Sequence, residues 1–584
     1  MRKTLLIAAG LICAVILAAP HALAYTNPVI HEDYSDPDVC RVGDDYWMTA
    51  SSFNCFPGLP ILHSCDLVHW TLVGAALESY PGFGFKYNVQ HGKGVWAPAI
   101  RYHDGWYYIF CGDPDRGVFM VKTQNPRGPW SKPVWVVRQR GFIDPCPFWD
   151  EDGSAYLVHA AAGSRAGLKS VIFAAPMAPD GGSLLGVSRV IYDGHMTQPT
   201  IEGAKVYKRD GYYYILSPAG GVATGWQTAL RSRDIYGPYE EKIVMAWAPG
   251  TVNGPHQGAW VDTPSGEDWF LHFQDKGAYG RIVHLQPMRW TDGWPVIGDD
   301  PDGDGCGQPV SEAESRGRTL VLRGHNGKGQ TMPAHRVPDT EAIYKPYGLD
   351  PSWQYPCVPS PYWHFALPDG GVRLYSVQQR SGWQNLSQSG NVLQRRFPAE
   401  SFTVTARLSF RPNPQLLERC ESAGFVVMGE SYAGLRLVET LEGAVLQSVS
   451  CNGAFDGAEE AVSRDLALLP FTRHPVEHSR ESLNVPLVDY PDVEEAVVWV
   501  RLEVTPVYDA PASDSPAAAS AGAAVPAPRC VFSYSVDGKR FERAGEPFIA
   551  VPGRWIGAKY GFWCNRFAPK NDSGWLDVTD LLIR

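Results

Sequence analysis

Carboxyl side chains recur at one place in a short repeated segment of this chain. Each segment runs nine residues from its first letter to a tight turn, and an apolar strand follows the turn. The segments are DPDVCRVGDDYWM from Asp36, WAPAIRYHDGWYYIF from Trp96, DPCPFWDEDGSAYLV from Asp144 and EGAKVYKRDGYYYIL from Glu202, with turn residues Asp45, Gly105, Gly153 and Gly211. Because packing gives no reason for carboxyls to recur there, the pattern predicts that three of them converge on one point.

Three converging carboxyls have a definite chemical use. Hydrolysis of a glycosidic bond needs one acid to protonate the leaving oxygen and one base to activate water on the opposite face of the sugar. A third negative charge helps the acid to keep its proton. Taken singly, Asp36 and Asp144 precede prolines and could simply open strands. Glu202 lies in an apolar stretch, where an unpaired Glu is costly to bury, so a functional role is favoured for the set.

The repeated segments are parts of larger units. An aromatic second strand, a third strand and a fourth such as VWVV (134–137) follow each segment, and a fifth copy begins at Gln257. Four-stranded repeats of this size are typical of β-propeller blades. The sequence therefore predicts a five-bladed propeller over residues 25–300, with Asp36, Trp96, Asp144, Glu202 and Gln257 at equivalent positions around one axis. A β-sandwich with accidental similarity is the alternative.

The rest of the chain predicts further β-structure, which makes the protein all-β. Residues 301–348 are rich in turn residues and poor in periodicity, which is typical of a linker. Residues 349–584 contain nine short alternating strands, which favour a C-terminal jelly-roll β-sandwich. Residues 507–528 are low-complexity Ala, Pro and Ser, and we interpret them as a mobile surface loop.

Residues 1–24 have the features of a secretory signal peptide. Arg2 and Lys3 precede an apolar run, and Ala22-Leu23-Ala24 is a small-residue cleavage site. This pattern predicts a periplasmic or secreted protein with no membrane anchor after cleavage; a retained anchor is the alternative. Twelve cysteines, one of them in the signal, show no CxxC pair and no metal-ligand spacing. The odd number that remains predicts at least one free thiol.

The charge excludes some partners. A net charge of -11 without a basic patch argues against nucleic acid and against an anionic membrane surface. A polyanionic sugar is for the same reason a poorer match than a neutral one.

The repeated motifs resemble those of glycoside hydrolase family 43. The matching segments are NPVIHEDYSDPDVCRVGDDYWM, SSFNCFPGLPILHSCDLVHW, GVWAPAI, GFIDPCPFWDEDG, TIEGAKVYKRDGYYYILSPAGG and GPHQGAWVDT. The resemblance implies a five-bladed propeller, to which some members add a C-terminal sandwich. It implies that Asp36 is the general base, Glu202 the general acid and Asp144 the modulator of the acid's pKa. The family inverts the anomeric configuration, so base and acid should stand about 6.5–9.5 Å apart.

The resemblance also implies residues around the sugar. Trp96 is expected to form a wall beside the sugar ring, and Phe53 and Phe56 are expected to line the subsite for the terminal sugar. Arg281 and Gln257 are expected to contact the substrate, and Trp563 is the aromatic residue that the sandwich is expected to add to the pocket. No cofactor is required. A structural calcium near His256, held through water, is expected by analogy only, because PDGDGCG near residue 301 is too short for an EF-hand and lacks its closing Glu.

The implied substrates are terminal pentoses of plant hemicellulose oligosaccharides. Members of this shape act on β-D-xylosides, α-L-arabinofuranosides or both, in xylan, arabinoxylan or xyloglucan side chains, and the residues leave this choice open. One alternative is a propeller that binds carbohydrate without cleaving it, and another is an endo-acting hydrolase of arabinanase or xylanase type. A fructan hydrolase is disfavoured because its Asn-Asp-Pro-Asn motif is absent.

Overall fold

The computed structural model describes residues 24–81, 84–247, 254–314, 345–368, 370–413, 419–474, 493–508, 525–569 and 571–584. In these ranges the chain is all-β. The helical elements there are one short helix, Gly163–Ala166 (α1), and four 3-10 turns at Gly277–Tyr279, Pro346–Gly348, Leu386–Gln388 and Ala454–Asp456. No helix among the described residues has the length and apolarity to cross a bilayer. The signal-peptide prediction lies outside the described residues except for Ala24, which opens the first strand, Ala24–Thr26 (β1).

The N-terminal half is the predicted five-bladed propeller, and each blade is a four-stranded antiparallel sheet in chain order. Blade one contains Asp38–Val42 (β2), Asp45–Thr49 (β3), Gly58–Ser64 (β4) and Thr71–Leu77 (β5). Blade two contains Trp96–His103 (β6), Trp106–Asp113 (β7), Gly117–Thr123 (β8) and Val134–Val137 (β9). Blade three contains Phe142–Trp149 (β10), Ala155–Ala161 (β11), Val171–Met177 (β12) and Arg189–Asp193 (β13). Blade four contains Lys205–Arg209 (β14), Tyr212–Ala219 (β15), Trp226–Ser232 (β16) and Glu240–Ala246 (β17). Blade five contains His256–Asp262 (β18), Asp268–Asp275 (β19), Arg281–Thr291 (β20) and Trp294–Ile297 (β21).

The ring closes between the first and last blades. Strand β18 contacts β2, and the chain before β2 adds a bridge from Ile30 to Val283 in β20. Strand Glu312–Glu314 (β22) pairs with β1, so the first part of the predicted linker belongs to the propeller. Residues 315–344 of that linker lie outside the described residues.

In blades one to four a residue with left-handed φ lies just before the regular pairing of the innermost strand, and its position corrects the predicted equivalence of Asp36, Trp96, Asp144 and Glu202. Positive φ angles occur at Asp36 (54°), Ala97 (35°), Asp144 (54°) and Gly203 (65°), each two residues before the regular ladder. Ala97 and Gly203, rather than Trp96 and Glu202, are therefore equivalent to the two aspartates. The predicted spacing of nine residues from the start of the repeat to its turn does not hold in blade one. There the turn is Gly43-Asp44, and Asp45, the predicted turn residue, already begins β3.

The C-terminal domain is a sandwich of a nine-stranded and a seven-stranded sheet around one apolar core, and all nine predicted strands are present. Its strands are His364–Ala366 (β23), Val372–Tyr375 (β24), Val377–Gln378 (β25), Leu393–Arg396 (β26), Phe402–Arg411 (β27), Glu421–Met428 (β28), Tyr432–Glu439 (β29), Gly443–Cys451 (β30), Ala461–Pro470 (β31), Thr472–His474 (β32), Val493–Val507 (β33), Ala527–Ser535 (β34), Glu542–Arg543 (β35), Phe548–Ile549 (β36), Lys559–Arg566 (β37) and Trp575–Ile583 (β38). The low-complexity segment falls between β33 and β34, where residues 509–524 lie outside the described residues.

The two domains are joined by buried polar contacts. Asn54 Nδ2 of the propeller donates to the Pro356 carbonyl at 2.8 Å, and the buried Lys559 Nζ of the sandwich donates to Cys55 Sγ of the propeller at 3.0 Å. The His91 ring stacks on Phe455 of the sandwich at 3.6 Å. Because buried polar groups need such partners, these bonds fix the sandwich against one end of the propeller.

Candidate active site

The three carboxyls converge at the end of the propeller channel where the inner strands begin. They line a cavity of about 160 Å³ together with aromatic, amide and cationic side chains. The residues that line it are Asp36, Phe53, Trp96, Ala97, Ile143, Asp144, Glu202, Val222, His256, Gln257, Arg281 and Trp555. The structure thus brings together all of the predicted site residues except Phe56 and Trp563.

Asp36 is held in one orientation from several sides. Its Oδ2 accepts hydrogen bonds from Ser35 Oγ at 2.8 Å and from Ser51 Oγ at 2.5 Å, while Arg281 Nη1 lies 3.6 Å from Oδ1. Asp tolerates the left-handed conformation better than most residues, and such backbone strain collects at functional sites. The neighbouring proline fixes the chain that follows, so the carboxylate is aimed into the cavity before any ligand arrives.

Asp144 is the most deeply buried of the three carboxyls. Its residue exposure is 4%, and its Oδ2 accepts the Gly203 backbone N–H at 2.7 Å. Burial raises the pKa of Asp144 well above its usual range, and the negative charge of Glu202 raises it further. A carboxyl held in this way keeps its proton at a pH where isolated carboxyls have lost theirs, so the site retains one proton there.

Glu202 is the most accessible member of the set. Its side chain is 31% exposed, and its Oε1 lies 3.4 Å from Nε2 of the buried His256. Gly203, which follows it, takes the left-handed turn that an L-residue adopts only with strain. The Glu202 side chain therefore leaves the strand one residue earlier than those of the aspartates and reaches the cavity from a different direction.

Aromatic rings and one arginine form the wall. The Trp96 ring lies 6.2 Å from Phe53 and 6.3 Å from Trp555, both nearly edge-on. Arg281 is only 9% exposed at its side chain and donates to Ser35 Oγ at 2.8 Å. Aromatic faces beside polar donors are the usual lining of small-ligand pockets, and they suit a sugar ring with apolar faces and hydroxyl edges.

The sandwich supplies one wall residue, but it is Trp555 rather than the predicted Trp563. Trp563 is 2% exposed and packs in a separate apolar cluster with Leu386 and Val392, on the face of β37 opposite to the one that Phe562 and Cys564 turn into the sandwich core. Trp555 follows a tight Pro-Gly turn, has a φ of 67° and remains 47% exposed at the cavity rim. Its loop is anchored by Gly557, whose N–H donates to Asp33 Oδ2 at 2.9 Å.

The prediction for Phe56 was also wrong. Phe56 is fully buried and packs against Tyr80 and Phe85 in the core of the first two blades. Its backbone pairs with Tyr355 of the sandwich, so it lies beneath the domain junction rather than at the cavity. Of the two phenylalanines in SSFNCFPG, only Phe53 faces the site. Ser51 in the same segment was missed, since a serine carries no signal of its own.

A propeller whose channel mouth gathers three carboxyls beside a closed aromatic cavity defines a glycoside hydrolase. Residues 25–295 match the family model Glycosyl hydrolases family 43, and residues 344–469 match the model Beta xylosidase C-terminal Concanavalin A-like domain. The chain belongs to glycosyl hydrolase family 43.

Individual relatives agree with this membership. The chain is similar to a protein of Xylanibacter ruminicola named as a β-xylosidase, with 46% identity over 49% of this chain and 52% of the relative, about half the length of each. It is also similar to a non-reducing end α-L-arabinofuranosidase of Bacteroides ovatus, with 34% identity over 73% of this chain and 78% of the relative.

A solved structure agrees in fold. The crystal structure of xylan β-1,4-xylosidase from Bacillus halodurans superposes with a TM-score of 0.72 at 23% identity, covering 96% of this chain and 99% of that one. The match includes both domains, so the combination of propeller and sandwich is shared.

Proposed function

We propose that this protein is an exo-acting, inverting glycoside hydrolase that releases a terminal pentose, β-D-xylose or α-L-arabinofuranose, from hemicellulose oligosaccharides. The observation that carries the proposal is the convergence of Asp36, Asp144 and Glu202 on one small cavity. The β-xylosidase and the α-L-arabinofuranosidase among the relatives support the choice of pentoses.

The geometry supports a separate role for each carboxyl. Asp36, fixed by two serine hydroxyls, is the general base: it takes a proton from a water molecule whose oxygen attacks the anomeric carbon. Glu202, the exposed carboxyl, gives its proton to the leaving oxygen, which departs as an alcohol. Asp144 touches neither reacting atom. The proton that Asp144 retains beside Glu202 stays available in the site for the acid step.

The size and closure of the cavity favour an exo mode. A volume of about 160 Å³ is well below the roughly 300–1,000 Å³ of pockets that hold drug-sized ligands. Trp555 stands across the rim beside Trp96 and so narrows the opening to one sugar. A pocket of this shape takes a chain end, whereas an endo-acting enzyme needs an open cleft.

The reaction needs water and carboxyls and no cofactor. Calcium prefers several oxygen ligands. His256 offers a nitrogen, and neither of the two groups of converging metal-ligating residues in the described chain includes it. The residues around His256 therefore do not fit a direct calcium site, and no step runs through an ion. The N-terminal signal pattern supports export to the periplasm or the medium, which N-terminal sequencing of the mature protein tests.

The leaving group provides the sharpest test of the acid. Nitrophenyl glycosides leave without protonation, whereas xylobiose and arabinoxylan oligosaccharides need the acid. Glu202→Ala is expected to lower kcat on the oligosaccharides by about 10²–10⁴-fold and on nitrophenyl pentosides far less. Glu151→Ala, which removes an exposed Glu elsewhere on the propeller, is the matched control.

Each outcome decides a separate point. Equal hydrolysis of oligosaccharides by wild type and Glu202→Ala shows that another group is the acid. Failure of wild type on both nitrophenyl β-xyloside and nitrophenyl α-arabinofuranoside leaves a binding propeller or an endo-enzyme instead. The relative rates on the two glycosides decide between xylose and arabinose, and the anomer first seen by NMR decides inversion.

A further inference from the structure

A second cluster of reactive side chains lies on blade one, away from the cavity. It consists of Asp45, His63 and Cys65, whose ligand atoms lie within 4.8 Å of one another. The separations are 2.8 Å from His63 Nε2 to Asp45 Oδ1, 3.5 Å from Cys65 Sγ to the same oxygen, and 4.0 Å from Cys65 Sγ to His63 Nε2. The hydrolytic mechanism uses none of the three.

The strand geometry places these side chains together. In the β3–β4 ladder Trp47 faces His63 and Tyr46 faces Ser64, so the next pair sets Asp45 opposite Cys65. His63 and Cys65 are two residues apart on one chain, and alternate strand residues share a face. The Trp47 ring packs on the His63 ring with centroids 4.4 Å apart. The cluster is thus built on a hairpin of the sheet, which positions ligands more firmly than a loop does.

The donor set is that of a transition-metal site. We propose that Asp45, His63 and Cys65 bind one Zn²⁺ ion with a fourth position open to solvent. Zinc takes thiolate, imidazole and carboxylate ligands, and its bond lengths in a tetrahedron put ligand atoms about 3.3–3.6 Å apart. The separations observed between the three ligand atoms, 2.8 to 4.0 Å, lie on both sides of that range. Side-chain movements of about half an ångström would therefore bring the three atoms to tetrahedral spacing.

The ion replaces protons that now hold the cluster together. On binding, the Cys65 thiol loses its proton to solvent, and His63 would direct the lone pair of Nε2, rather than an N–H, at the ion that lies between it and Asp45. The Asp45 side chain is 44% exposed, which gives the ion an entry path.

The site is remote from the cavity. Strand β2 separates them, since Asp36 precedes its start and Asp45 follows the turn at its end, roughly 20 Å away at 3.3 Å per residue. Zinc at the hairpin should therefore raise the thermal stability of blade one and leave kcat on nitrophenyl pentosides within about twofold.

Zinc chloride and cobalt chloride are the probes. The full chain, freed of metal with EDTA, is titrated with Zn²⁺ by calorimetry, melted with and without Zn²⁺, and scanned with Co²⁺ for a thiolate-to-cobalt absorption band. Expected are one ion per chain, a higher Tm with zinc and a thiolate band. Cys65→Ser is expected to remove the band and to weaken zinc binding by at least about tenfold.

Matched variants separate this hairpin from the thiols and carboxylates elsewhere in the chain. Cys420→Ser removes a half-buried thiol of the sandwich and keeps the band. Asp302→Asn disrupts the acidic loop Asp300–Asp304, which is the other converging group among the described residues, and keeps one tight ion. Asp45→Asn, at an exposed position, weakens zinc binding without unfolding the chain. Zinc affinity equal in wild type, Asp45→Asn and Cys65→Ser, or a stoichiometry below half an ion per chain, overturns the proposal.

Discussion

The two ends of the propeller channel differ in how their charged side chains are paired: at one end each carboxylate has a nearby Lys or Arg, and at the other end most of the carboxyls have none. At the end opposite the cavity, the last residues of the inner strands line a second cavity of about 610 Å³. Each carboxylate that lines it lies 2.5–3.7 Å from a Lys or Arg nitrogen; the pairs are Arg41–Asp262, Lys208–Asp150, Lys208–Glu151 and Arg209–Asp268. This end is larger and richer in charge, yet its charges cancel locally.

At the cavity end the balance is reversed. Three carboxyls share one ion-pairing cation, since Arg281 lies near Asp36, while among the described residues no Lys or Arg forms an ion pair with Asp144 or Glu202. The buried Lys205 acts on Asp144 without an ion pair, and its charge lowers the pKa of Asp144 less than burial and the neighbouring carboxyls raise it. Uncompensated buried carboxyls cost stability, and a fold retains them only where they serve a purpose. The contrast teaches that neither the size of a cavity nor its number of charges marks the active end of this channel. The active end is marked by carboxyls that have no Lys or Arg as an ion-pair partner.

The largest effect is expected from Asp36→Asn at the uncompensated end. Asn keeps the size and the serine contacts but cannot take a proton from water, so kcat should fall by about 10²–10⁴-fold. Unlike the change at Glu202, the loss should be the same on nitrophenyl glycosides and on oligosaccharides. Steady-state kinetics on both substrates checks it, and a loss confined to oligosaccharides would exchange the roles of base and acid.

Asp144→Asn should separate activity from stability. Because the folded pKa of Asp144 is raised, the stability that the protonated carboxyl contributes at low pH is lost progressively as pH rises above about 4, its ordinary value in the unfolded chain. The variant escapes this loss, so its Tm should exceed that of wild type increasingly from pH 4 to pH 8. Melting curves across this range test it; a constant difference contradicts the raised pKa.

The same variant should change the pH profile of kcat/KM. Without the second carboxyl the site no longer retains its proton to high pH, so the alkaline limb of the profile should move toward lower pH. A matched change at the compensated end, Asp150→Asn, should leave that limb in place.

Trp555→Ala should affect binding more than chemistry. Removing the rim indole costs about 1–2 kcal/mol of contact with the sugar, so KM should rise about 5- to 30-fold with kcat nearly unchanged. Tyr362→Ala, which removes an aromatic that is 75% exposed elsewhere on the sandwich, is the control. A fall in kcat with KM unchanged would place Trp555 in the chemical step instead.

The smallest effect is expected at the compensated end. Asp262→Asn breaks the two-bond contact with Arg41. The side chains of Arg41 and Asp262 are 24% and 49% exposed, and exposed ion pairs of this kind contribute at most about 1 kcal/mol to the free energy of unfolding. Chemical denaturation should show that loss, and kcat/KM should stay the same. A large fall in activity would show that this end also takes part in catalysis, and the comparison would fail.

The blades were predictable from the sequence because each one is a local unit. A hairpin turn and an alternating strand are encoded within about ten residues, and the fourth strand Val134–Val137 lies where the sequence predicts it. The carboxyls were predictable for the same reason, since each is tied to the start of an inner strand. The one-residue offset of Glu202 was not, because it depends on backbone φ at Ala97 and Gly203.

The residues that the prediction placed wrongly depend on contacts between distant parts of the chain. Phe53 and Phe56 are alike in type, three residues apart and both buried, but Phe53 lines the cavity whereas Phe56 packs in the core of the first two blades and pairs through its backbone with Tyr355 of the sandwich. Trp563 and Trp555 lie in the same domain, and local patterning makes Trp563 the stronger aromatic candidate. The flanking glycines of VPGRWIG were the available sign of an exposed Trp in a turn.

The bond between Asp33 and Gly557 has a consequence for the order in which the enzyme is made. Asp33 accepts the Arg281 N–H with one oxygen and the Gly557 N–H with the other, across a separation of 524 residues. A ribosome releases the propeller long before the loop that completes its pocket. During translation the nascent chain thus carries its carboxyls without the rim beside them, and the complete pocket can form only after the loop at Gly557 has been made.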